Sequence, residues 1–173
     1  MRPAAFPARR PGATEASRAR TGLGSWPVTA LVAAAITFGL DRVTKFWVTR
    51  SLVPGQELFP SWPVHIQYVE NSGAAFSILP NYDWLFLLVA AAVIGAAIWY
   101  RRRLAAEGWW VQAAVGMVVG GALANAIDRL TQGYVVDFIQ LPHWPVFNVA
   151  DSGITVGMVL LVVRLLLQAR ADP

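Results

Sequence analysis

Four long apolar stretches joined by polar connections constrain this chain more than any other feature. Roughly residues 26–48, 82–100, 109–128 and 149–167 each run for about the 20 residues that a helix needs to cross the hydrocarbon core of a bilayer. A soluble protein with several core helices would give each of them a polar face, and these segments lack one. The chain has 173 residues, 56% of them hydrophobic and only 14% charged, so the bilayer is the expected solvent. The Arg-rich start and the run of alanines and valines after it have the form of a cleaved signal peptide. The run passes straight into Asp41-Arg42-Val43-Thr44-Lys45-Phe46-Trp47, however, without a small-residue cleavage site set off from the helix. It reads as a retained span.

A net charge of +4 and a pI near 10.1 would suggest nucleic acid in a soluble protein. Here the positions of the charges matter more than their sum, and no nucleic-acid partner is expected. Arg2, Arg9, Arg10, Arg18 and Arg20 precede the first stretch, Arg101, Arg102 and Arg103 separate the second from the third, and Arg164 and Arg170 close the fourth. By the positive-inside rule both termini and the middle connection are cytoplasmic, which leaves the first and third connections outside. Trp26, Trp47, Trp84, Trp99, Trp109 and Trp110 fall near the ends of the stretches, where amphipathic rings prefer the interface. There is no cysteine, which removes disulfides, thiol nucleophiles and thiolate metal sites together.

Residues 1–24, rich in Arg, Ala, Pro and Gly with no hydrophobic period, are expected to form a disordered cytoplasmic tail. Residues 25–170 then make one domain. Between the first two stretches Val64-His65-Ile66-Gln67-Tyr68-Val69-Glu70 alternates apolar and polar residues, the period of a half-buried strand. The expected fold is therefore an all-α membrane protein with four transmembrane helices and a small extracytoplasmic β-rich segment between helices 1 and 2. The connection 131–148 is short and aromatic, with Gly133, Pro142 and Pro145. Gly116, Gly120, Gly153 and Gly157 supply small-xxx-small spacings that let helices approach closely.

Asp41, Asp128, Asp137 and Asp151 lie in or beside apolar segments, where a charge is costly and is usually kept for a purpose. The topology puts all four at outer ends, so they can converge at one level of the membrane. Asn71, Asn125 and Asn148 travel with them. Asn125 and Asp128 share a helix face at i and i+3, with Arg129 beside them as an ion-pair partner, and Asp41 and Lys45 can pair at i and i+4. Asn148 occupies the expected N-cap position of the last helix. His65 and His143 lack a persuasive serine partner, and no His, Cys or carboxylate cluster has metal-ligand spacing, so neither a metal nor another cofactor is expected. Two carboxylates sharing one proton can hydrolyse a peptide, one activating water and the other donating a proton. On spacing alone Asp128 is as eligible for that pair as Asp137 or Asp151.

Four blocks in this order resemble the lipoprotein signal peptidases (signal peptidase II). They are Asp41-Arg42-Val43-Thr44-Lys45; Asn71-Ser72-Gly73-Ala74-Ala75-Phe76-Ser77; Gly120-Gly121-Ala122-Leu123-Ala124-Asn125-Ala126-Ile127-Asp128-Arg129 continuing through Gly133-Tyr134-Val135-Val136-Asp137-Phe138; and Phe147-Asn148-Val149-Ala150-Asp151-Ser152. The resemblance implies an aspartic endopeptidase whose catalytic pair is Asp137 and Asp151. It assigns Asp41, Lys45, Asn71, Gly73, Gly121, Asn125, Asp128, Arg129 and Asn148 to lining or supporting the site. Arg42 stands where the family commonly has glutamine, Ala124 where glycine usually precedes the asparagine, and the stretch from Asp137 to Asp151 is short. By the same resemblance the substrates are prolipoproteins carrying a diacylglyceryl group, cut just before the lipid-bearing cysteine. The implied partners are those substrates and membrane lipids. A monomer in the bacterial cytoplasmic membrane, multi-pass and with its active site on the extracytoplasmic face, is expected. The rival readings are a small ion- or proton-coupled carrier, which calls for ionisable residues near the midplane and often an internal repeat, and a non-catalytic assembly factor.

Overall fold

The computed structural model describes residues 27–73 and 83–171. The expected tail, its arginines, Trp26 and residues 74–77 of the second motif block lie outside the described residues. The described residues form five helices and three strands: α1 (Val28–Ser51), β1 (Glu57–Leu58), β2 (His65–Asn71), α2 (Asp83–Trp99), α3 (Arg101–Ala106), α4 (Trp109–Gln132), β3 (Val135–Gln140) and α5 (Val149–Ala171).

Local chemistry sets where these elements stop. α4 continues four residues past 128, to Gln132, because Gly133 adopts the left-handed conformation at φ 77° and donates its N–H to Arg129 O. Such a turn costs a residue without Cβ nothing and satisfies a helix-end carbonyl. α1 runs to Ser51 and turns extended at Leu52, whose N–H bonds to Val48 O. The second stretch is divided at Tyr100, so a 17-residue helix is followed by the short arginine-bearing α3. Two described helices, Trp109–Gln132 and Val149–Arg170, are long and apolar enough to cross a membrane. α1 is equally long but carries Asp41, Arg42 and Lys45 in its second half.

α4 is the central helix and packs against α1, α5 and α2. Its small residues make this possible. A Cβ on Gly116 or Gly120 would run into the carbonyls of Ala30 or Ala34 of α1, and one on Gly121 into the carbonyl of Ala150. On α5, a Cβ at Gly157 would come within 2.6 Å of Ala114 O and one at Gly153 within 2.5 Å of Thr37 Cγ2. Both glycine spacings are therefore packing surfaces.

The sheet is antiparallel throughout, in the order β1-β2-β3. The sequence suggested strand only between the first two helices. β3 comes instead from the third connection, where Val135, Val136 and Phe138 are buried; β1 and β2 alone would make a two-stranded ribbon of marginal stability, and β3 completes the sheet. Val136, Phe138 and Tyr68 close over Val48 and Leu52, so the sheet is seated on the end of α1. One irregularity matters. Ile66 pairs with Ile139, but Val69 pairs with Asp137, leaving two residues of β2 opposite one of β3. Directly opposed residues share a face, so Asn71 becomes the diagonal neighbour of Asp137. Without the extra residue Tyr68 would oppose Asp137, and Asn71 would point to the other side.

The close approach predicts a contrast between two glycines. Gly120→Ala must separate α1 from α4 and is expected to destabilise the protein by about 1–3 kcal/mol. Gly39→Ala, where nothing lies within 4 Å of the new carbon, should leave stability unchanged or raised. Thermal unfolding in detergent, followed by circular dichroism, checks both.

Candidate active site

The site is built on a buried charge network between α1 and α4. Lys45 Nζ lies 2.7 Å from Asp41 Oδ2, 2.7 Å from Asp128 Oδ2 and 2.8 Å from Asn125 Oδ1. Three N–H donors thus meet three acceptors. Lys45 is 2% exposed, and Asp41 and Asp128 not at all. Charges at such depth persist only when paired and hydrogen-bonded. Arg42 supplies the second cation, with Nη1 on Asp128 Oδ1, so two carboxylates face two cations. Asp41 also reaches across to the last helix: its Oδ1 accepts the Ala150 N–H at 2.9 Å. That N–H has no partner within its own helix, because the first turn of any helix leaves its donors unmet.

Asn148 joins this floor to the two remaining aspartates. It caps α5, its Oδ1 accepting the Asp151 N–H at 2.8 Å while its own N–H points back to Asp151 Oδ2 at 3.3 Å. This reciprocal arrangement is that of a capping box. Its Nδ2 donates to Asp137 Oδ1 at 2.7 Å, so one side chain touches both carboxyl-bearing residues. Asn125, fixed by Lys45, donates Nδ2 to Asp151 Oδ1 at 2.8 Å. Asn71 donates Nδ2 to Asp137 Oδ2 at 2.8 Å, and the Gly73 N–H on Asn71 Oδ1 at 2.9 Å holds that amide in place. Each oxygen of Asp137 and Asp151 thus has a donor.

Asp137 sits on β3, 2% exposed. Burial first, and then the neighbouring Asp151 charge, push its pKa from 3.8 up to about 7, against the lowering effect of the Asn71 and Asn148 hydrogen bonds. A carboxyl that holds its proton near neutrality beside a second carboxyl is the donor-acceptor pair that water-mediated amide hydrolysis needs.

All eleven residues singled out in the sequence belong to this one constellation, but one assignment is corrected. Arg129 does not pair with Asp128, which is already saturated by Lys45 and Arg42. Successive helical residues point about 100° apart, so Arg129 turns to α2. There it lies 3.5 Å from Asp83 and 4.4 Å from the Phe86 ring centre, and donates to Gly73 O at 3.2 Å. Two contributors escaped the sequence reading. Arg42 entered only as a departure from a family pattern, and its charge next to Asp41 was the available signal. Asp83, an acidic residue at the head of an apolar stretch, carried the same kind of signal. Gly121 contributes by the absence of a side chain, which brings α4 against Ala150. Among the described residues no group of three or more His, Cys, Asp or Glu side chains is placed to hold a metal ion.

The family model for signal peptidase (SPase) II matches residues 33–167. The chain belongs to the signal peptidase II family. This family member is 42% identical over 134 residues to a lipoprotein signal peptidase of Syntrophomonas wolfei, covering 77% of this chain and 89% of that one. To the lipoprotein signal peptidase of Mycobacterium avium it is 40% identical over 144 residues, covering 77% and 76%. Two solved bacterial membrane enzyme structures, determined by the in meso method, superpose with TM-scores of 0.75 and 0.71. Identities there are 28% and 30%, over 84% and 80% of this chain and 92% of each of theirs. As a signal peptidase II, the protein is a peptidase of membrane character, which sets the carrier and assembly-factor readings aside.

Two stability experiments follow from the site. Lys45→Met leaves Asp41 and Asp128 buried with one cation fewer and should cost about 3–5 kcal/mol in detergent unfolding. The folded-state pKa of Asp137 is raised, so the stability it contributes is complete below about pH 4 and is lost as the pH rises through about 7. The gap from 3.8 corresponds to roughly 4 kcal/mol. Asp137→Asn should therefore gain stability over the parent between pH 5 and pH 8, and parallel unfolding curves for the two proteins would refute the assignment.

Proposed function

We propose that the protein removes signal peptides from diacylglyceryl-modified prolipoproteins, cutting just before the lipid-bearing cysteine, with Asp137 and Asp151 as the catalytic pair. The observation that carries this reading is Asn148, which hydrogen-bonds Asp137 through its side chain and Asp151 through its backbone. It holds the two carboxyl groups as one unit. Just below about pH 7 the unit holds one proton, which in this reading sits on Asp137. Asp151 then accepts a proton from the attacking water, while Asp137 first hydrogen-bonds the scissile carbonyl and then gives its proton to the leaving amine. No covalent intermediate is involved. Asp41, Lys45, Asn71, Gly73, Gly121, Asn125, Asp128, Arg129 and Asn148 position the pair.

In the same reading α1, α2, α4 and α5 all cross the bacterial cytoplasmic membrane. Residues 1–24 form a cytoplasmic tail and 25–170 a single peptidase domain that works as a monomer among membrane lipids. Two features support this topology. Leu31, Val32, Ile36 and Leu40 of α1 and Val159, Val163 and Leu166 of α5 are exposed, as lipid-facing positions are. Arg101, Arg102, Arg103, Arg164 and Arg170 gather at the end of the bundle opposite the sheet, which supports a cytoplasmic reading of that end and an extracytoplasmic one of the dyad. A lipid-anchored peptide confined to the bilayer and a water from outside can meet at such a site.

The assay is cleavage of a diacylglyceryl-modified prolipoprotein by the purified protein in detergent. Asp137→Asn and Asp151→Asn should each slow cutting by about 10²–10⁴-fold or more while folding normally. Asp128→Asn should act through stability and leave measurable activity in the folded fraction. The parent rate should fall as the pH rises above about 7, where the dyad loses its shared proton. Near-normal cutting by either dyad variant would show that the pair is wrongly chosen.

A further inference from the structure

From the dyad end of α5 an exposed stripe leads to the other end of the bundle. From Asp151 the residues Thr155, Met158, Val162 and Leu165 follow at spacings of four, three, four and three, so they lie on one face. All four are exposed. Gly153, half a turn round from Asp151, meets Thr37 of α1, so the stripe occupies the flank of α5 turned away from α1. At Leu165 it reaches a cavity of about 330 Å³ between the start of α4 and the end of α5, lined by Glu107, Val111, Leu161, Arg164, Leu165 and Gln168.

Glu107 is out of place by charge. Every other described carboxylate belongs to the end of the bundle that carries the sheet and the dyad, whereas Glu107 stands among Arg101, Arg102, Arg103, Arg164 and Arg170. It pairs with Arg164 at 3.3 Å, both side chains about one-third exposed (39% and 32%). Arg164 has a second partner: with the Gln168 amide oriented to meet it, the carbonyl oxygen accepts at 2.8 and 3.2 Å. Glu107 can therefore exchange Arg164 for another cation without leaving Arg164 unpaired.

A secretory signal peptide has a basic n-region followed by an apolar segment of about 7–15 residues. Asp151 and Leu165 are fourteen residues apart, which at about 1.5 Å per residue is roughly 21 Å along the helix axis. A helical apolar segment of about fourteen residues reaches from the dyad to the cavity. We propose that the α5 stripe seats the apolar segment of the substrate's signal peptide and that Glu107 binds a lysine or arginine of its n-region. The inference rests on the proteolytic reading above. Among the described residues at this end of the bundle, Glu107 is the one carboxylate that a basic n-region can meet.

The test uses the full-length protein and two diacylglyceryl-modified prolipoproteins that differ only in having lysines or glutamines in the n-region. Glu107→Gln should raise KM for the lysine substrate about three- to fivefold, the range of a partly exposed ion pair, and leave kcat unchanged. It should leave both constants unchanged for the glutamine substrate, which also reports that the variant is folded. Arg164→Gln should lower KM for the lysine substrate by freeing Glu107. Glu107→Lys should be rescued by a substrate with glutamates in the n-region, and Val162→Asp should raise KM for every substrate. Equal KM shifts for the lysine and glutamine substrates, or none, overturn the Glu107 assignment; an unchanged KM for Val162→Asp overturns the stripe. Binding of the same labelled signal peptides, read by fluorescence anisotropy, separates this inference from the proteolytic one. Binding that depends on Glu107 without any cleavage leaves the docking surface standing and removes the peptidase function, whereas cleavage without Glu107 dependence does the reverse.

Discussion

The Lys45 ammonium meets Asp41, Asp128 and Asn125 at a depth where none of the carboxylates could remain charged without a cation. Everything nearer the surface is attached to that contact. Through Asp41 it reaches the Ala150 N–H and fixes the start of α5, and through Asn125 it reaches Asp151. Asn148 then carries the same framework to Asp137. Each step is a hydrogen bond between buried or half-buried groups, so a change at one member is felt by the next. The geometry of the dyad thus follows from an ion pair one layer beneath it.

Close helix packing is the condition for that network. The arms of lysine and asparagine reach across two helices only if the backbones approach closely, and Gly116, Gly120, Gly121, Gly153 and Gly157 permit this by presenting no side chain. The sheet adds the remaining wall. Its bulge between Ile66 and Val69 aligns Asn71 with Asp137, and its apolar underside rests on Val48 and Leu52 at the end of α1. Helices supply the charged floor, and a short sheet supplies Asp137, one carboxyl of the proposed pair.

Much of the site was legible because buried charge is rare in apolar sequence. Asp41, Lys45 and Asp128 announce themselves by position, their spacings predict the Asp41–Lys45 pair, and Asn148 carries the signature of a helix cap. Arg129 pairs with Asp83 rather than Asp128 because adjacency along a helix is not adjacency in space. β3 was missed because Val135–Gln140 has buried residues in succession rather than in alternation, and such a run gives no strand period. Arg42 showed its function only when a partner 86 residues away was visible.

What the sequence determined by itself is what depends on local periodicity and on the cost of placing charge in apolar surroundings: helices in apolar stretches, their close approach at glycines, and a polar cluster at one end. The order of its motifs determined the family. Only the tertiary structure decided which carboxylates stand together, because Asp128 and Asp137 are equally acidic as residues. Asp128 is paired with Lys45 and Arg42, whereas Asp137 is buried beside Asp151 with only amide donors, and so keeps its proton to about pH 7. That difference comes from contacts between residues distant in the chain, and local sequence carries no record of them.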